Sequence, residues 1–295
     1  MNFTVVDLGN FNIKYIGNDF QGMFSSKIST DYQSYEDGFQ RIELTGAKTY
    51  IGIGELSREF NKADREYIPQ LLYALCRANE GGTIETNLVL LLPIIQMENK
   101  SKLSAALKDK EFDFKCNGID KIVSIKDVLV LPEGYMSYFA LDDEDKQGDI
   151  CILDLGSRTV NVCVLEDGSI QKINTIKLGS FDFYSQIKSE ENSKGNDYIE
   201  EDIPRLIKDG IVEVASEKYD NFLDQILNAV KPYVNIRTYN TIFTGGTSIL
   251  LGDSIQKLKL PQYKVMEDPL NSNAIGAKKA AEMIWSAENV DKQAQ

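Results

Sequence analysis

The sequence predicts an α/β protein made of two domains of common design. Three observations point there. A strand, acidic turn, strand, turn, strand segment occurs twice, once at the start of each half. Between and after the two copies, helical stretches alternate with short apolar strands. The chain has 295 residues, enough for two domains with real cores.

The first copy is Phe3-Thr4-Val5-Val6-Asp7-Leu8-Gly9, a short apolar run ending at an acidic residue and a glycine. Asn12 to Ile16 returns as a second strand, Gly17-Asn18-Asp19 turns, and Gly22 to Ile28 forms a third. The second copy is Cys151-Ile152-Leu153-Asp154-Leu155-Gly156, followed by Val160 to Leu165, the hairpin signal Asp167-Gly168, and Ser169 to Leu178. The copies align without a gap: Val5 on Ile152, Asp7 on Asp154, Gly9 on Gly156, Asn12 on Thr159, Lys14 on Asn161. One long-period repeat suggests a duplicated domain design rather than a solenoid.

The remaining elements follow in order. Lys62 to Asn79 reads as a helix with Pro69 as a kink or late start. Asn87 to Leu92 is a buried strand, Ser101 to Lys110 a short helix, and Ile122 to Leu131 a strand that runs into Pro132-Glu133. Glu133 to Leu141 reads as a helix start. Asp142 to Asp149 is acidic and marks the domain boundary. Ser189 to Asp202 reads as a solvated loop, and Ile203 to Val230 as mostly helical. Thr241 to Phe243 is a strand entering Thr244-Gly245-Gly246-Thr247, and Ala274 to Trp285 is a final Ala-rich helix.

Composition narrows the chemistry. The net charge of -13 argues against broad direct binding to nucleic acid or anionic membrane. No apolar run is long enough to span a bilayer, and no signal peptide is evident at Met1 to Thr4. The four cysteines form no Cys-x-x-Cys pair, so buried thiols in a reducing cytoplasm are expected. There is no histidine, which excludes Ser-His-Asp and Cys-His catalysis and every His-ligated metal site. Carboxylates, Lys, Arg, hydroxyls, backbone amides and a hard metal ion remain.

A tight turn between two strands gathers backbone N–H groups into a nest that suits phosphate, and glycine at its tip permits positive φ and close approach. Two such turns facing each other across a cleft would clamp a polyphosphate. Asp7 and Asp154 would then hold Mg2+ through its waters, and Lys14 would meet phosphate oxygens as a point charge. A lone Asp-Leu-Gly is usually only a turn; two gapless copies carry more weight. Thr244-Gly245-Gly246-Thr247, opening a helix, is a third nucleotide-type turn. Glu133 is either a first-turn helix carboxylate favoured by the macrodipole or the group that positions an attacking water.

The motif order resembles the actin, Hsp70 and sugar-kinase superfamily. Asp7 to Lys14 resembles its phosphate 1 motif, Leu131-Pro132-Glu133-Gly134 connect 1, Asp154 to Thr159 phosphate 2, Thr244 to Thr247 the adenosine motif, and Asn271 to Ala277 connect 2. Within it, Tyr50-Ile51-Gly52, Leu91-Leu92-Pro93 and Pro132-Glu133 look most like the ParM-type bacterial actins of plasmid partition. The resemblance implies two actin-like (ribonuclease-H-like) domains with mixed sheets flanking a nucleotide cleft. Domain I would span 1–146 plus 275–295, and domain II 147–274. It implies ATP or GTP with Mg2+, held by Asp7 and Asp154, with Glu133 and Asp154 as catalytic groups. Nucleotide contacts would come from Gly9, Asn10, Phe11, Asn12, Lys14, Gly156, Ser157, Arg158, Thr159, Gly245, Gly246 and Thr247. Glu213 and Glu217, on the helix before the adenosine turn, are candidates for the base.

Three features depart from the family pattern. Ser157-Arg158 replaces small residues in phosphate 2, and Arg158 either adds charge at the phosphates or points into solvent. Asn161 stands where Asp or His is common, which bears on the hydrolysis rate. The stretch from Gly179 to Asn240 is short, so the subdomain over the nucleotide is expected to be reduced. The expected function is a cytoplasmic, filament-forming ATPase that moves plasmid DNA through a ParR-like DNA-binding adaptor, with no direct nucleic-acid or membrane contact. The alternatives are a small-molecule kinase, for which no acceptor motif is found, and a membrane-associated or pilus-type scaffold. The scaffold would use Lys278, Lys279 and Trp285 of the last helix as an amphipathic surface.

Overall fold

The computed structural model describes residues 2–293. Its contacts divide the chain into two compact units: residues up to Ala140 together with the C-terminal helix from Asn273, and Leu141–Ser272.

In the first unit, the strands are β1 (Phe3–Leu8), β2 (Asn12–Ile16), β3 (Gln21–Ser25), β4 (Ile28–Ser29), β5 (Gln40–Leu44) and β6 (Ala47–Ile51). Helix α1 (Ile68–Ala78), β7 (Thr83–Leu92), α2 (Lys100–Leu107), β8 (Lys110–Cys116), β9 (Ile119–Pro132) and α3 (Met136–Ala140) follow. The described strands form one sheet in the order β3-β2-β1-β7-β9-β8-β5-β6-β4. β1 pairs antiparallel with β2 and parallel with β7.

β1 and the end of β7 are buried at every position because side chains alternate and both faces of the sheet are covered. Val6, Leu8, Leu88, Leu90 and Leu92 join one core with Leu71, Leu72, Leu75 and Ala78 of α1. Phe3, Val5, Val89 and Leu91 face the other core. There they meet Met136 and the small residues Ala274, Ala277 and Ala281 of the last helix, α9, which spans Ser272–Gln293.

The second unit holds β10 (Ile150–Leu155), β11 (Val160–Glu166) and β12 (Ser169–Ile176). Then come α4 (Ser180–Ser193), α5 (Ile203–Lys208), α6 (Ser216–Val230), β13 (Asn240–Thr244), α7 (Gly246–Leu250), α8 (Gly252–Lys257) and β14 (Tyr263–Val265). The sheet order is β12-β11-β10-β13-β14. β10 is antiparallel to β11 and parallel to β13, the relation β1 has to β2 and β7. The repeat read from the sequence is therefore a repeat of sheet topology. Leu153 and Leu155 pack one face onto Phe183 and Ile187 of α4 and Phe222 and Ile226 of α6.

Several elements differ from expectation. The helix expected from Lys62 starts at Ile68, because Pro69 has no N–H to give and suits only a first turn. Lys62 to Asp64 form a separate 3-10 turn. Glu133 is in a turn, and α3 begins three residues later. The stretch from Ser189 is not all loop: α4 runs through it to Ser193 on the apolar positions Phe183 and Ile187. The helical stretch 203–230 breaks at Gly210, whose φ is +70°.

The C-terminal helix packs one face inward. Trp285 is 4% exposed and its ring lies 5.3 Å from that of Phe3. At Gly276 an added Cβ would stand 1.7 Å from the Met136 carbonyl oxygen, so only glycine lets α9 lie this close to α3. Among the described residues, no helix is long and apolar enough to cross a membrane.

Candidate nucleotide site

In the first unit, the β1–β2 register sets Asp7 opposite Lys14. Lys14 Nζ donates to Asp7 Oδ2 at 3.1 Å. A second ammonium, Lys62 Nζ, donates to Asp7 Oδ1 at 3.0 Å and also to Glu133 Oε1. Sequence reasoning missed Lys62. Its side chain is only 4% exposed, so it is a buried cation held between two buried carboxylates.

The turn that carries Lys62 is pinned. Asn61 caps it by accepting from the Ala63 N–H, and the Lys62 N–H donates to Gln96 Oε1 at 2.9 Å. Glu133 is fixed from its own side. Its N–H donates to the Leu92 carbonyl, and Asn273 Oδ1 accepts from the Gly134 N–H at 2.8 Å and the Ser137 hydroxyl at 3.0 Å. Asn273, in the first turn of α9, thus holds the connect 1 turn.

Electrostatics agree with this packing. Burial alone would raise the Asp7 pKa, but Lys62 and Lys14 overcome it and hold the carboxyl well below the usual carboxylate range. Burial would lower that of Lys62; Asp7 and Glu133 reverse this and raise it.

The turn itself has the shape that the motif requires, for a reason partly different from the expected one. Gly9 and Gly156 are not among the positive-φ residues. Glycine is needed for close approach: a Cβ on Gly9 would lie 2.3 Å from the Asn12 carbonyl oxygen, and one on Gly156 2.9 Å from that of Thr159. Carbonyl oxygens, which would repel an anion, are turned back into the unit. Ser26 takes those of Asn10 and Phe11 through its hydroxyl and its N–H. Asn10 Oδ1 and Gln70 Oε1, both buried without a protein partner, line a cavity of about 20 Å³ behind the turn, room for one water.

The second unit repeats the pattern. Asp154 lies opposite Asn161, which donates from Nδ2 to Asp154 Oδ2 at 3.0 Å. Thr175 donates to Asn161 Oδ1 at 2.7 Å, which fixes the amide orientation. Asn161 is thus the counterpart of Lys14: it orients its aspartate without neutralising it. The carbonyls of Gly156 and Ser157 accept from the Ser180 and Phe181 N–H groups of α4, and Thr247 donates to the Gly156 carbonyl at 2.7 Å. The Arg158 guanidinium lies 5.3 Å from the Phe181 ring centre.

Gly245 has φ +82° and sits against β10. A Cβ there would stand 2.4 Å from the Leu155 carbonyl oxygen and 2.6 Å from Asp154 Oδ1. Gly246 opens α7, a helix of only five residues, so the turn serves close approach more than dipole strength.

The first unit thus joins Asp7 and Glu133 through Lys62, with Lys14 on Asp7 and Gly9 and Asn10 lining a cavity with Lys62; Phe11 and Asn12 follow in the same turn. The second gathers Asp154, Gly156, Ser157, Arg158, Thr159, Gly245, Gly246 and Thr247. Glu213 and Glu217 are both exposed. Glu213 is on the loop before α6, not on a helix, and Glu217 is in the first turn of α6. They flank Val214 and Ser216, which line an open cavity of about 730 Å³ with Tyr219, Leu250, Asp253 and Lys257.

Among the described residues, no group of three or more Cys, Asp or Glu side chains forms a metal cage. Both Asp7 oxygens already accept from lysine ammoniums, so an Mg2+ ion there would have to be met through its waters.

Comparison with known proteins identifies the fold of this arrangement. Residues 5–135 match the family described as actin like proteins N terminal domain. The archaeal actin homolog Ta0583 in complex with ADP superposes with a TM-score of 0.79 over 96% of this chain and 100% of its own, at 17% identity. The fold is actin-like. A 15-stranded ParM filament from Clostridium botulinum gives 0.79 at 19% identity, covering 96% of this actin-like chain and 100% of that one. The filament of AlfA from B. subtilis plasmid pLS32 gives 0.63 at 21%, covering 94% and 97%. No curated protein sequence matches the chain significantly. The resemblance to actin-like proteins of the ParM type, read from the motif order, is borne out.

Proposed function

We propose that this actin-like protein binds and slowly hydrolyses ATP or GTP with Mg2+, and that the bound nucleotide controls its assembly into filaments. The observation that carries the reading is the buried Asp7–Lys62–Glu133 cluster beside the Gly9 turn. Two buried carboxylates share one buried cation. A soluble fold gains nothing obvious from such an arrangement, since buried ion pairs seldom stabilise more than an apolar isostere.

In phosphoryl transfer, positioning and charge neutralisation do most of the work. Glu133 accepts a hydrogen bond from the attacking water and aims it. Lys62 fixes the Glu133 carboxylate and supplies a positive charge as negative charge develops on the phosphoryl oxygens. The Gly9–Asn12 and Gly156–Thr159 turns bind phosphates through backbone amides, and Asn161 orients Asp154. Mg2+, when bound, neutralises charge on the phosphate oxygens. Gly245 and Gly246 pass close to the α-phosphate or sugar, and the cavity beside Glu213 and Glu217 takes the base.

Filament formation is supported by the fold shared with the ParM and AlfA filaments. Plasmid segregation through a ParR-like DNA-binding adaptor, in the cytoplasm, is the role this reading favours. The test is nucleotide-dependent light scattering and pelleting of the purified protein. Polymer is expected with a slowly hydrolysed nucleotide analogue and Mg2+, with disassembly as native nucleotide is consumed. Absence of polymer with ATP, GTP and their analogues would contradict the assembly part.

A further inference from the structure

In the first unit, two buried residues hold the Gly9–Asn12 turn from behind. Ser26 follows directly after β3 and takes the inward carbonyls of the turn. Its hydroxyl donates to that of Asn10, and its N–H donates to that of Phe11 at 3.0 Å. Ser26 is held in the same way: Gln70 Nε2 donates to its carbonyl at 3.0 Å. Gln70 and Ser26 are each 5% exposed, so bulk water does not compete for these bonds. Pro69 suits only a first helical turn, which fixes Gln70 at the start of α1.

We propose that Gln70 is a positioning residue for phosphate binding. Through Ser26, it keeps the Asn10 and Phe11 carbonyls turned inward and so leaves the amide side of the turn to the ligand. The inference rests on the nucleotide reading and extends it to a residue of α1 that need not touch the nucleotide.

Charge gives the reason. A carbonyl oxygen swung to the ligand side would face a phosphate with like partial charge, whereas a backbone N–H makes a charge-assisted bond to it. The Ser26 carbonyl can only accept, so it sets the direction of the Gln70 amide, with Nε2 toward Ser26 and Oε1 toward the cavity behind the turn. Asn10 Oδ1 lines the same cavity, and neither oxygen has a protein partner. One water there would donate a hydrogen to each. Lys62 and Arg65 border the cavity, which disfavours a cation in the same place. An apolar side chain at position 70 would fill this corner with no buried oxygen to satisfy, so helix packing alone does not call for an amide.

The second turn is held more directly. The Gly156 and Ser157 carbonyls accept from backbone N–H groups at the start of α4. The first turn depends on two side chains in series, and substitution can break that series one bond at a time.

The test is the affinity of the full chain for ATP and GTP with Mg2+, by titration calorimetry, beside its stability to urea. Gln70→Met keeps the volume and removes the amide; Ser26→Ala removes the hydroxyl. Each should weaken triphosphate binding about tenfold, the scale of one hydrogen bond. Because the two residues act in series, the double variant should lose about as much as the larger single, not the roughly hundredfold of independent losses. Asn79→Ala removes a buried amide at the other end of α1, whose bonds go to Thr4 and Leu75. It should lower stability and leave affinity unchanged, which is how a purely structural Gln70 would behave. Unchanged affinity in Gln70→Met, multiplied losses in the double variant, or an equal loss in Asn79→Ala would each overturn the proposal. If Gln70→Met does not fold, full affinity in Ser26→Ala overturns it. No triphosphate binding by the wild-type chain would instead remove the nucleotide reading, and the proposal with it.

Discussion

Lys62→Met is expected to lower the free energy of unfolding by about 3–5 kcal/mol, because it removes the buried cation that Asp7 and Glu133 share and leaves Asp7 to Lys14. Asp7 and Glu133 are 5% and 9% exposed, so water gives little relief. That loss is a large share of the roughly 5–15 kcal/mol by which domains are usually stable. Urea unfolding measures it. Adding Glu133→Gln to the variant removes one of the stranded charges, so the double variant should lose less than the sum of the singles. A Lys62→Met loss below about 1 kcal/mol would mean that the lysine is an ordinary surface-type ion pair. Nucleotide turnover should fall about 100-fold or more in whatever fraction stays folded, the scale seen when a preorganised charge partner is removed from a transition state.

Gly245→Ala is expected to have the largest effect on nucleotide affinity. The residue needs φ +82°, and its Cβ would collide with the Leu155 carbonyl and Asp154 Oδ1. Left-handed strain costs about 1–3 kcal/mol. Relief of the clash must move either the glycine turn or the end of β10, and both carry proposed nucleotide contacts. A displaced Asp154 also loses the bond from Asn161. Affinity should therefore fall about 100-fold, or some 2.7 kcal/mol. Gly252→Ala is the control: that glycine has no atom within 4 Å of an added Cβ, and binding should be unchanged. Equal behaviour of the two variants in a nucleotide titration would remove Gly245 from the site.

The parts legible in the sequence are those written in local pattern. Asp7 and Asp154 could be found because each ends an apolar strand, and the register then put Lys14 and Asn161 opposite them as the gapless alignment implied. Glu133 was legible from its place between motifs, although its surroundings were not: it is in a turn, tied to Asn273 far along the chain through Gly134 and Ser137. Lys62 carried no such signal. It is a single lysine in a polar stretch, and its partners lie 55 and 71 residues away, so only the fold shows that it is buried. The strand β8 was hidden for a related reason. Phe114 and Cys116 alternate inward, but Lys110, Glu111 and Asp113 give the segment the look of a charged connection. α4 was lost because its last turns are polar, while Phe183, Tyr184 and Ile187 near its start anchor it.

The central claim is that the paired turns and their carboxylates serve a nucleotide. Titration calorimetry of the purified chain with ATP and GTP, each with and without Mg2+, tests it most directly. Saturable binding of at least one nucleotide is predicted, strengthened by Mg2+, weakened by Gly245→Ala and unchanged by Gly252→Ala. No binding of either nucleotide by folded protein, with Mg2+ present, would contradict the account.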